Sequence, residues 1–311
     1  MPTTPQLAEV TLADKYRLER GRVFLTGMQA LARLPMLQRE RDRAAGLDTA
    51  GYVSGYRGSP LGGLDTALQE AAPFLAAHDV RFHPAVNEDL AATAIWGTQQ
   101  LHLFPGPQRD GIFAMWYGKG PGVDRCGDVF KHANFAGTAR HGGVLVVAGD
   151  DHSARSSAVA HQSEHVLSAC AMPVLAPAGV QEYLDLGLHG WALSRYCGCW
   201  VALKTTSDSA ESSAVVELAP ERVTPRLPED FALPPDGGQR GGQRPDKDDV
   251  APRILRDGVE HADAGDEEEA DVGRGADDPG EHRAVFLRPD FHDSCTPNAL
   301  TLHVVMAASL Q

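Results

Sequence analysis

The sequence predicts an α/β domain with a mostly parallel sheet and helices on both faces, followed by a disordered acidic tail. Three observations predict it. From Asp48 onward, short apolar or β-branched runs alternate with helix-like stretches, the pattern of successive βαβ units. That alternation stops near Ala219. The negative charge is also uneven. Of the formal net charge of −14, residues 220–311 carry −10 (20 acidic, 10 basic) and residues 1–219 carry −4 (22 acidic, 18 basic).

Taken in order, residues 1–47 read as an N-terminal helical segment. Phe24, Met28, Leu31 and Leu34 form an apolar stripe at helical spacing, so a helix is expected over 24–46, with Pro35 kinking or breaking it. Residues 48–219 read as the α/β domain. Its strands are expected at 50–56, 80–86, 111–117, 143–148, 173–177 and 200–205. Its helices are expected near 62–77, 88–103, 124–136, 163–171 and 180–196. Residues 220–311 read as a linker and tail. The Gly-Gly-Gln-Arg unit at 237–240 repeats at 241–244, and the Asp266–Glu269 run is wholly acidic. Such composition cannot bury enough apolar surface to offset chain entropy, so 236–284 is expected to be disordered.

Apolar residues make up 42% of the chain, enough for an ordinary core. Five cysteines in 311 residues do not indicate a disulfide framework, so a reducing, cytoplasmic compartment is expected. No N-terminal segment reads as a signal peptide, and no run approaches the ~20 apolar residues that cross a bilayer, so no membrane association is expected. The mildly acidic domain offers no footprint for nucleic acid.

Four loops could carry chemistry, each after an expected strand. The first is Ser54-Gly55-Tyr56-Arg57-Gly58-Ser59-Pro60, continuing through Leu61-Gly62-Gly63 into a helix. Glycines let backbone approach a ligand, but the loop matches neither the Walker nor the dinucleotide pattern, and a plain strand-to-helix turn fits equally. The second is Asn87-Glu88-Asp89, either an N-cap with acidic first-turn residues or a carboxylate at a strand exit. The third runs from Gly118 to Arg125, where Lys119 and Arg125 could meet a phosphate or carboxylate, or be solvated. The fourth contains Asp151, His152 and Arg155, followed by His161 and His165. Its spacing fits no zincin motif, so a polar rim of a cleft is expected there and no metal site is assigned. Cys197-Gly198-Cys199 is not a Cys-x-x-Cys motif and is given no redox role.

Read together, four phrases resemble one family: GYVSGYRGSPLGGLD, FHPAVNEDLAATAIWGTQQ, MWYGKGPGVDRCGDVFKHANFAGT and VVAGDDHSARSSAVAHQSEH. From about Leu12 to Ala219 the chain is similar to the N-terminal, pyrimidine-binding domain of indolepyruvate:ferredoxin oxidoreductase of the long single-chain type. It is more distantly similar to the wider 2-oxoacid:ferredoxin oxidoreductases. The resemblance implies a thiamine-diphosphate-binding fold. It gives Glu88 the catalytic contact with the pyrimidine nitrogen N1′, favouring the imino tautomer that activates the cofactor. Ser54, Gly55, Tyr56, Arg57, Gly58, Ser59 and Pro60 would join it in holding the cofactor. Lys119, Arg125, Asp151, His152 and Arg155 would face the substrate or coenzyme A.

The resemblance further implies an aryl pyruvate substrate, oxidised to an acyl-CoA with ferredoxin as electron acceptor, in a homo-oligomer. Mg2+ and the diphosphate would be held by a domain this chain does not contain, and iron–sulfur (4Fe-4S) clusters by further regions of the full enzyme. After Pro235 the likeness ends, and the composition is what a GC-rich gene gives when read out of frame. A frameshifted or truncated product is therefore expected, inactive by itself. The alternatives are an incomplete product that folds without turnover and an unrelated α/β phosphate- or nucleotide-binding protein.

Overall fold

The structure, a computed structural model, describes residues 10–155 and 157–226. The disorder expected over 236–284 and the out-of-frame reading beyond Pro235 lie outside the described residues.

The chain enters through α1 (Asp14–Arg17) and β1 (Gly21–Thr26) and turns directly into α2 (Gly27–Ala44). Then follow β2 (Thr49–Gly55), α3 (Leu64–Glu70), α4 (Ala72–Ala77), β3 (Val80–Phe82), α5 (Glu88–Thr98) and β4 (Gly111–Lys119). The second half comprises α6 (Gly120–Arg125), α7 (Gly127–Ala136), β5 (Val144–Asp150), α8 (Glu164–Ala169), β6 (Val174–Leu175), α9 (Val180–Cys197) and β7 (Val201–Thr206). The described chain ends with α10 (Ser207–Ala210) and β8 (Ser213–Leu218).

Six strands form one parallel sheet in the order β3-β2-β4-β5-β7-β6. The expected α/β class with a parallel sheet is therefore what the chain adopts. Every residue of β5 is buried, as a central strand covered on both faces requires. On one face, Trp116, Phe130 and Trp200 meet edge to face, with ring centroids 5.0 and 6.0 Å apart along the series. On the other, Trp191 of α9 packs on Phe113 at 5.4 Å and donates its indole N–H to the Ala114 carbonyl.

Two features differ from the sequence expectation. The helix expected over 24–46 begins at Gly27, and Phe24 lies in β1, exposed, opposite Val215 of β8. The cause is the capping box at Thr26. Its hydroxyl accepts from Gln29 N–H while the Gln29 side chain accepts from Thr26 N–H, which fixes the helix start. The second is Pro35, which does not break α2. The helix runs on for 18 residues, its face of Leu31, Leu34, Met36 and Gln38 buried.

β1 and β8 form a separate antiparallel pair that the sequence reading did not contain. The segment that follows β8 is anchored at two residues. Val223 is buried, Arg41 donates to its carbonyl, and Arg222 pairs with Asp185. No helix among the described residues is long and apolar enough to cross a membrane.

Candidate functional site

The carboxyl ends of β2, β4, β5 and β7 lie along one edge of the sheet, and the four candidate loops leave from there or from the neighbouring β3 exit. Parallel α/β sheets place ligand chemistry at such strand exits. Formal strand β3 ends at Phe82, yet the chain beyond it stays on β2. His83 N–H donates to Val53 O and Ala85 N–H to Gly55 O. Asn87 then caps α5 by accepting from Leu90 N–H at 2.8 Å, which sets Glu88 as the first helical residue.

The two acidic first-turn residues have different fates. Asp89 pairs with Arg125 of α6, Nε to Oδ2, at 2.5 Å. Glu88 is only 6% exposed, and no group among the described residues hydrogen-bonds its carboxylate. A Cβ on Gly122 would lie 2.7 Å from Glu88 Cγ and 2.8 Å from Oε1, so the side chain fits only because that residue is glycine. Trp116 Nε1–H donates to the Glu88 backbone carbonyl at 3.2 Å and pins the helix start to β4. The first turn of α6 lies against one side of the carboxylate. Helix capping accounts for Asn87 and Asp89, but not for the carboxylate of Glu88, which has no hydrogen-bond partner among the described residues.

The first loop divides by role. Ser54 and Gly55 end β2 and are buried, and a Cβ on Gly55 would meet Tyr117 O at 2.2 Å. Tyr56 N–H donates to Tyr117 O, while its side chain and that of Arg57 reach solvent. Gly58 lies against the Lys119 stem. Ser59 is half-buried, and Pro60 is buried where Gly149 of β5 leaves room for it. The loop thus crosses from β2 over β4 to β5.

Arg125 is committed to Asp89 rather than free for an anion. The fourth loop is tied down similarly. Asp151 is buried and accepts from Arg155 N–H at 3.1 Å. His152 is exposed, its Nδ1 3.1 Å from His161 O, and the Arg155 guanidinium lies 3.4 Å from Asp208 at the surface. No group of three His, Cys, Asp or Glu side chains that could hold a metal ion occurs among the described residues.

The sequence reading missed a polar cluster beside these loops. Asp150, fully buried at the end of β5, accepts from Ser163 N–H at 2.9 Å and from Ser163 Oγ–H at 2.5 Å. Lys204 of β7 pairs with Glu164 and lies 3.8 Å from Asp150. Burial opposes ionisation of Glu164, but the Lys204 ammonium outweighs it and holds the carboxyl below its ordinary range. His161 Nε2 meets Asp124 at 2.8 Å, and its Nδ1 lies 3.6 Å from Asp150. A Cβ on Gly120 would fall 2.0 Å from that Nδ1. The first turn of α6 is therefore a thin glycine wall, with His161 against Gly120 and Glu88 against Gly122. Lysine inside the apolar run at 200–205 was the available signal for this cluster.

Gly120→Ala should displace His161 from Asp124. Overpacking of this kind costs about 1–3 kcal/mol. The urea midpoint should fall accordingly, and the His161 imidazole NMR signals should move. Unchanged signals would contradict the wall.

A cleft of about 910 Å³ lies elsewhere, between α2 and α9. Among its charged residues, Asp42 pairs with Arg195 and Asp185 with Arg222.

Comparison with known proteins agrees with this geometry in two steps. The fold is shared with a 2-oxoglutarate:ferredoxin oxidoreductase from Magnetococcus marinus, solved with 2-oxoglutarate, coenzyme A and succinyl-CoA bound. The TM-score is 0.51 at 16% identity, over 66% of this chain and 33% of that one. In sequence the chain is similar to indolepyruvate oxidoreductase subunit IorA. It is 26% identical to the Methanothermobacter thermautotrophicus protein over 200 residues, 64% of this chain and 28% of that one. It is 28% identical to the Archaeoglobus fulgidus protein over 212 residues, 67% and 31% of the two chains. The chain thus spans less than a third of these relatives. No family model matches it.

Proposed function

We propose that this chain is the pyrimidine-binding part of a thiamine-diphosphate-dependent 2-oxoacid:ferredoxin oxidoreductase of the indolepyruvate type. The observation that carries the reading is Glu88, a residue only 6% exposed whose carboxylate has no hydrogen-bond partner among the described residues and lies against Gly122 at the strand exits. A protein tolerates such a group where a ligand completes it. An aminopyrimidine ring supplies the missing donor, since its N1′ carries a proton in the imino form.

Thiamine diphosphate supplies the electron sink for decarboxylation of a 2-oxo acid, and the protein supplies orientation and electrostatics. In this chain Glu88 holds the proton at N1′. Asn87 and Trp116 fix the helix start that aims it. Ser54–Pro60 forms the opposite wall, with Tyr56 and Arg57 reaching outward. Lys119, Asp151, His152 and Arg155 line the substrate or coenzyme A side. Arg125 acts there only through Asp89, as a brace between α5 and α6. The diphosphate and Mg2+, the 4Fe-4S clusters, and the binding of aryl pyruvate, coenzyme A and ferredoxin belong to the rest of a homo-oligomeric cytoplasmic enzyme. The chain alone therefore turns nothing over.

The test joins residues 1–235 to the diphosphate- and cluster-binding regions of an IorA relative, with that enzyme's other subunits supplied. The assembled protein should reduce a one-electron acceptor only when thiamine diphosphate, coenzyme A and indolepyruvate are all present. The chain alone should show no activity. Reduction without thiamine diphosphate would refute the reading. Tight nucleotide binding by the chain alone would favour the unrelated phosphate-binding alternative.

A further inference from the structure

We propose that His161 is a positioning residue for Glu88, acting through α6. The inference deepens the function proposed above and rests on it. α6 is one short helix tied to two neighbours. His161 Nε2 lies 2.8 Å from Oδ2 of its Asp124, and the following residue, Arg125, pairs with Asp89 at 2.5 Å. Consecutive residues therefore tie α6 to the loop before α8 and to the first turn of α5, where Glu88 stands.

Between those two ties, glycine brings the α6 backbone into contact with both side chains. A Cβ on Gly120 would overlap the His161 ring, and one on Gly122 would press on Glu88 Cγ. Closely packed groups transmit a displacement rather than absorb it. Glu88 is sensitive to one, because no group among the described residues hydrogen-bonds its carboxylate. What locates that carboxylate is the helix start, fixed by Asn87 and Trp116, and the Gly122 backbone beside it.

His161 is placed to hold α6. Its side chain is only 13% exposed. Its backbone is tied to the fourth loop, where its N–H donates to Asp151 O at 3.4 Å and its O lies 3.1 Å from His152 Nδ1. The other charged groups around the ring are committed. Asp150, 3.6 Å from Nδ1, accepts twice from Ser163, and Lys204 pairs with Glu164. The Nδ1 atom is buried without a hydrogen-bond partner. Asp124 is therefore the one hydrogen-bond partner of the imidazole among the described residues, and the Nε2–Asp124 contact is the part of His161 that positions α6.

The test labels the glutamate carboxyl carbons of the full chain with carbon-13 and follows the Glu88 NMR signal, assigned by its loss in Glu88→Gln. This readout needs no cofactor, so it decides the positioning role even if the thiamine reading fails. His161→Leu should move the signal. Asp124→Ala, a change at a half-exposed side chain, should move it in the same way. His161→Gln keeps an N–H donor near the Nε2 position and should restore the parent signal. Asp42→Ala, which loosens the fold elsewhere, should leave it in place. In the enzyme joined to its diphosphate- and cluster-binding regions, His161→Leu and Asp124→Ala should each lower kcat by about 10²-fold, the scale of a ~1 Å misplacement. The double variant should be no slower than either single one, since both break the same contact. A Glu88 signal that stays put in His161→Leu and Asp124→Ala, or that moves equally in His161→Gln or Asp42→Ala, would overturn the proposal. So would additive losses in the double variant.

Discussion

Asp42→Ala should cost about 3 kcal/mol of stability, the low end of the ~3–5 kcal/mol lost when one partner of a buried ion pair is removed. Asp42, near the end of α2, receives four hydrogen bonds. Arg195 of α9 donates twice, at 2.6 and 2.8 Å, Thr49 of β2 at 2.7 Å and Gln38 at 2.9 Å. One carboxylate therefore ties two long helices to the first strand of the sheet. The Asp42 side chain is 4% exposed and that of Arg195 is 17% exposed, so solvent screens the pair weakly. The low end applies because Arg195 keeps two carbonyl acceptors, Gly142 and His141. Ordinary domains are stable by only ~5–15 kcal/mol, so the urea midpoint should drop plainly. A midpoint within error of the parent protein would show that the helices hold together without this carboxylate.

What the sequence made legible follows from how far apart the interacting residues are. The strands β2, β4, β5 and β7 announced themselves because a covered parallel strand is a continuous apolar run, as in Val144–Ala148. β1 and β8 did not. Their pairing joins residues nearly the whole described chain apart, Gly21 with Leu218, and no local pattern records it. Phe24 misled for a related reason. It is an exposed strand residue that happens to extend the apolar stripe of α2, and only the Thr26–Gln29 capping box separates the two elements.

The site divides in the same way. The position of Glu88 at a strand exit was readable, because it depends on the order of a short strand and a helix. Its burial was not, since that requires Gly122, thirty-four residues later, to lack a side chain. Arg125 looked free in the sequence and is bound to Asp89 across two helices. The cluster of Asp150, Ser163, Glu164 and Lys204 gathers residues from three elements and the loop before α8, so no motif spells it out.

The claim that Glu88 serves the cofactor rather than the helix is tested most directly by Glu88→Gln in the protein joined to its diphosphate- and cluster-binding regions. Gln keeps the shape and removes the charge. If the carboxylate holds the N1′ proton, oxidation of indolepyruvate should fall by about 10²–10⁴-fold, the usual scale of an acid–base contribution. The unfolding midpoint should stay level, because the carboxylate makes no hydrogen bond among the described residues that Gln would lose. The contradicting result is equally definite. Near-normal oxidation together with a lower midpoint would make Glu88 a first-turn residue stabilising α5 through the helix dipole.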